Sequence, residues 1–128
     1  MQDEPTPIEL TKAVADFLRN DIAPMISGHH AFKLRVAINA LDLVTRQLTL
    51  QAGGDEAEAG RLKQLLGVDG SLHDLNRALA GKIAEGELDL RTPGLAEHLW
   101  RTTMDKLAVD QPTYAAYKRE LGRGTDGA

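Results

Sequence analysis

The chain has 128 residues, 42% of them hydrophobic and 27% charged, with a net charge of −4 and no cysteine. That is the size and balance of one globular domain, and it excludes disulfides, thiolate metal sites and a thiol nucleophile. The acidic balance argues against nucleic acid, whose binders concentrate Lys and Arg on one face, and aromatics at only 4% favour a Leu/Ala/Ile/Val core of packed helices.

The start, "MQDEPTPIEL", is acidic and polar where a signal peptide is basic and then apolar. No apolar run approaches the ~20 residues of a membrane span. The expected location is therefore the cytoplasm. Thr6, Pro7 and Glu9 make a capping box with proline at the first helical position. Leu10, Ala13, Val14, Phe17 and Leu18 then follow at helical spacing, and Pro24 predicts an end near Asp21.

A second helix is expected from Ser27 or Gly28 to about Leu50. Leu34, Ala37, Ile38, Leu41, Val44 and Leu48 share one broad apolar face of it, and Phe32, Val36, Leu43 and Leu50 a narrower second one. Two apolar faces mark a central helix packed on both sides. Arg35, Asn39, Asp42 and Arg46 fall in one stripe between them. Spaced to support one another at i,i+4, they read first as a structural stripe and second as a site for a partner's carboxylates or another anion.

"QAGGDEAEAG" reads as a mobile loop, followed by a short third helix from about Glu56 to Leu66 that Gly67 closes. Ser71 and Asp74 cap a helix through Leu72, Leu75, Leu79 and Ile83, ended by Gly86. Thr92-Pro93 repeats the first start signal, and Ala96, Leu99, Trp100, Met104, Leu107 and Ala108 form an apolar stripe. Trp100 reads as core. Beyond Pro112, Tyr114, Tyr117 and Leu121 line a last short helix, with Tyr114 and Tyr117 as core staples or interface anchors. The expected fold is all-α: a compact single-domain bundle of about five helices over residues 1–121, with a long central helix and a disordered tail at 122–128.

Chemistry is sparse. His29, His30, His73 and His98 show no metal-ligand spacing, and His29 and His30 diverge on a helix. "LGVDGSL" lacks the Gly-Lys-Ser/Thr ending of a phosphate loop and reads as a hinge between helices. The expectation is no catalytic residue, no cofactor and no metal, and no catalytic activity from this chain alone.

In their order, "PTPIELTKAVADFL", "FKLRVAINALDLV", "IAEGELDL" and "TTMDKLAVDQPTY" resemble an uncharacterised family of small bacterial all-helical proteins. Its members are encoded beside aminoglycoside-phosphotransferase-like kinases and acyl-CoA dehydrogenase-like enzymes. The resemblance implies a non-catalytic accessory subunit of a kinase acting on hydroxyacyl-CoA in acyl-CoA catabolism. The alternatives are an acyl-CoA-binding helical bundle, with Arg35 and Arg46 on the phosphates, or a self-associating module such as a homodimer.

Overall fold

The first helix begins where its capping residues place it. The Glu9 N–H donates to Thr6 Oγ1 at 3.2 Å, and Pro7 occupies the first turn of α1 (Pro7–Phe17). The computed structural model describes residues 3–126. Helical backbone does not stop near Asp21 as a plain α-helix: Leu18–Ile22 forms a π turn in which the Ala23 N–H donates to the Leu18 carbonyl. Ala23–Met25 then tightens into a 3₁₀ turn. Pro24 is the cause, because it has no N–H to donate and its ring crowds the carbonyl four residues back.

Gly28, at φ +71°, turns the chain into α2 (His29–Leu66). This is the main departure from the sequence reading. No loop interrupts it at "QAGGDEAEAG", and the expected second and third helices are one. Gly53 and Gly54 each cost a helix about 1 kcal/mol, but Ala52, Glu56, Ala57, Glu58 and Ala59 are strong helix formers and no proline intervenes.

α3 (Leu72–Ala84) starts as expected, with the Asp74 N–H donating to Ser71 Oγ at 3.1 Å. α4 (Leu95–Asp110) does not start at Thr92-Pro93. The Thr92 hydroxyl instead accepts from the Asp89 N–H at 3.0 Å, inside a turn, and Gly94 at φ +87° caps the helix. α5 (Ala115–Asp126) carries helix through most of the expected tail; residues 127 and 128 lie outside the described ones. The fold is all-α, with five α-helices, one of them long, and no strand among the described residues. No helix among them is long and apolar enough to cross a membrane.

The chain divides into two units, Met1–Gln51 and Ala52–Ala128, with α2 contributing to both. In the first, α1 and α2 run antiparallel: Thr45 Oγ1 donates to Thr11 Oγ1 at 2.8 Å, while Arg19, further along, pairs with Asp42, which lies earlier in α2. Among the described residues of this unit, Ala15 and Ile38 are the buried ones. The second unit has a leucine core of Leu62, Leu75, Leu79 and Leu95, with Leu65, Leu66, Leu72 and Leu88 packed around it.

α4 is rotated from the expected register. Leu95 and His98 are its buried residues, whereas Leu99 and Trp100 remain exposed. A face spaced 95, 98, 102 is a legitimate helical stripe, and it is the one α4 buries.

Leu62 is 0% exposed at the centre of that core. Leu62→Ala is expected to cost about 2–5 kcal/mol in urea unfolding, whereas Val68→Ala, on an exposed turn, is expected to stay within about 0.5 kcal/mol of wild type. Equal effects from the two would contradict this placement of the core.

Candidate functional site

Two arrangements bring polar side chains together, one in each unit. In the first, the stripe on α2 divides along its length: Arg35 and Asn39 stand in solvent, and Asp42 and Arg46 are half-buried. Asp42 accepts from Arg19, whose other terminal nitrogen reaches Asp16 at 3.1 Å. This Asp16–Arg19–Asp42 arrangement ties the turn after α1 to α2. An ion pair at this exposure is worth about 1 kcal/mol or less, so it sets alignment more than stability. The lower half of the stripe is therefore structural, and its upper half is available.

Phe32 and Val36 lie beside that upper half. Both face solvent, at 56% and 53% exposure. The spacings 32–35–36–39 are i,i+3 and i,i+4 steps, so Phe32, Arg35, Val36 and Asn39 cover one contiguous patch two turns long. Of the two tyrosines, Tyr117 is core and Tyr114 is half-exposed. Trp100, expected in the core, is 52% exposed. The rotation of α4 that buries His98 explains this.

In the second unit the sequence reading missed a buried polar centre. Arg61, on α2, donates from Nε to His98 Nδ1 at 3.2 Å and from Nη2 to Thr102 Oγ1 at 3.1 Å. Asp105 approaches the same guanidinium to 4.0 Å. Because His98 accepts at Nδ1, its ring is neutral with the proton on Nε2. Burial, and then the neighbouring Arg61 charge, hold its pKa below the ordinary value; Glu58 opposes them weakly. The signal that could have found this centre is the 95–98–102 spacing beginning on a leucine, with a cation beside Leu62.

A cleft of about 520 Å³ opens beside this centre, lined by Arg61, Gln64, Leu65, Thr92, Glu97 and Arg101 among others. Its charges are already partnered. Glu97 Oε1 accepts from Arg101 Nη2 at 2.8 Å, and Arg61 is held as described. Thr92 and His98 share this lining, and the Arg61 contacts within it tie α2 to α4. No group of three His, Asp or Glu among the described residues is placed to hold a metal ion.

These features are carried on an all-helical fold. More particularly, the chain is a member of the family described as "Domain of unknown function (DUF6285)", whose model matches residues 24–114, from the turn before α2 through Tyr114. No curated protein and no solved structure matches the chain.

The sign of the His98 effect on stability follows from its lowered folded pKa. Above pH ~6.5 the ring is neutral folded and unfolded, and its contribution is constant. As pH falls below that value, the unfolded chain takes up a proton that the folded chain resists, so stability falls until the folded ring also protonates. Urea unfolding between pH 7 and pH 5 is expected to show this loss in wild type and a smaller one in His98→Gln. Arg61→Ala is expected to cost about 1–3 kcal/mol at pH 7, because it leaves a buried imidazole acceptor without its donor. Parallel pH profiles for wild type and His98→Gln would contradict the assignment.

Proposed function

We propose that this chain is a non-catalytic accessory subunit that binds and supports an aminoglycoside-phosphotransferase-like kinase acting on hydroxyacyl-CoA in the cytoplasm. The observation that carries the reading is the patch of Phe32, Arg35, Val36 and Asn39, where two large apolar side chains and a guanidinium stand in solvent within two helical turns. Aromatic residues and arginine are the side chains that supply most binding energy in protein interfaces, and here they adjoin one another. The patch lies within the residues that the family model matches. Half-exposed Tyr114, at the end of that match, is a second contact candidate.

The partner is named by the resemblance of the ordered segments, and the division of labour follows from chemistry. Phosphoryl transfer needs a phosphate cradle, a metal-binding acid and a positioned base, and the kinase supplies these. The accessory chain contributes surface, which holds the kinase in its active conformation or keeps it folded.

The test is co-expression with the neighbouring phosphotransferase-like kinase, followed by size-exclusion chromatography with light scattering and an assay of hydroxyacyl-CoA phosphorylation. The expected result is a stable complex whose activity depends on this chain, with Arg35→Glu and Phe32→Ala each weakening association about tenfold or more. Separate peaks with unchanged kinase activity would overturn the reading.

A further inference from the structure

We infer that the α1–α2 hairpin of the first unit is one half of a four-helix bundle, and that a second copy of this chain supplies the other half. The inference does not depend on the proposed kinase and concerns a different side of the hairpin.

Each helix of the hairpin carries two apolar stripes. The inner stripe of α1 and its following turn is Thr11, Ala15, Leu18 and Ile22, all buried or half-buried; that of α2 is Leu34, Ile38, Leu41 and Thr45, likewise. The Thr11–Thr45 hydrogen bond joins the two stripes directly. The outer stripe of α1 is Leu10, Val14 and Phe17, each about half exposed, and that of α2 is Ala37, Ala40 and Val44, continued by Leu48, all exposed.

Every outer position except Leu48 sits one residue before an inner one: 10 before 11, 14 before 15, 17 before 18, and 37, 40 and 44 before 38, 41 and 45. One residue is ~100° of helical rotation. The helices run in opposite directions, so the same step back turns both outer stripes to the same side of the hairpin. The opposite side carries the polar residues Lys12, Asp16 and Arg19 of the first segment and Arg35, Asn39, Asp42 and Arg46 of α2. The hairpin is thus amphipathic as a unit, with one groove filled and one whole face open.

The size of that face suits a helical partner of the same length. Leu10, Val14, Phe17, Val44 and Leu48, each about half exposed, present roughly 400 Å² of apolar side chain at 150–250 Å² for a fully exposed large residue. That alone is about half of the ~800 Å² per partner in a standard interface, and the alanines and rim supply more.

Its composition selects a second copy. α1 presents large residues; α2 presents small ones at Ala37 and Ala40, on the level of Phe17 and Val14, and larger ones at Val44 and Leu48. A two-fold axis parallel to the helices lays α1 of one copy antiparallel over α2 of the other. Because Thr11 is level with Thr45, Leu10 then falls between Leu48 and Val44, Val14 between Val44 and Ala40, and Phe17 between Ala40 and Ala37, twice over. Large-on-small packing of this kind is how four-helix bundles interdigitate, and a two-fold contact requires such self-complementarity.

The absence of cysteine from the chain makes the test direct. Copies carrying Val14→Cys are mixed with copies carrying Val44→Cys, and Lys12→Cys with Arg46→Cys as the level-matched opposite-side control, under mild oxidation. The expected result is a disulfide-linked pair joining the Val14→Cys copy to the Val44→Cys copy and no such product from the control. Light scattering of the full wild-type chain is expected to give twice the 13.9 kDa chain mass. Val14→Asp is expected to give the single mass with the far-ultraviolet helical signal retained, and still to be captured by the kinase if that reading holds. A wild-type chain of single mass at high micromolar concentration would overturn the inference, as would equal cross-linking on both sides. A wild-type chain that pairs only when the kinase is present would also overturn it, because the face would then belong to the heterologous partner.

Discussion

Two helices have one groove between them, and that geometric limit governs the first half of this protein. An antiparallel pair can bury one stripe of each helix and no more. Here the groove holds Ala15 and Ile38, while Leu10, Val14, Phe17, Phe32 and Val36 remain outside it. Nothing in the pairing of Thr11 with Thr45, or of Arg19 with Asp42, changes that count of faces. Apolar residues at regular helical spacing stay half exposed on two sides of the hairpin, and these are the sides that the proposed contacts with other chains would cover.

The second unit solves the same problem internally. Three helical segments converge on Leu62, Leu75, Leu79 and Leu95, which leaves a true interior. Its one buried polar side chain among the described residues, His98, is tolerated because Arg61 donates to it and because the neutral ring adds no charge to desolvate. The guanidinium also reaches Thr102 and approaches Asp105, so a single arginine on α2 fixes the rotation of α4. That rotation turns Trp100 outward. A half-buried arginine and a buried imidazole thus set which aromatic residue the surface displays.

Much of the helical order was legible from local chemistry. The Thr6–Glu9 and Ser71–Asp74 signals work because a side-chain oxygen three residues before an orphan N–H has a single geometry to satisfy. The breaks were harder to read, because glycine penalises a helix without forbidding it, and the alanines and glutamates around Gly53 and Gly54 outweigh the cost. The register of α4 was misread for a different reason. Periodicity weighs residues by hydrophobicity, and His98 has no apolar credit until its partner, 37 residues away at Arg61, is known. Of the candidate residues, the stripe on α2 was found as a stripe, but its division into a structural lower half and an open upper half depends on Arg19, which sequence spacing did not connect to Asp42.

The family assignment gives the chain kin without giving it a task, so the task has to be argued from surfaces. Hydrogen exchange of the full chain, read peptide by peptide with and without the phosphotransferase-like kinase, tests most directly whether the open faces of the hairpin are contact surfaces. The account predicts that the peptide over residues 7–22 is protected in the concentrated chain alone and loses protection on dilution, while the peptide over residues 29–40 gains protection when the kinase is added. Exchange in both peptides that is indifferent to concentration and to the kinase would contradict it.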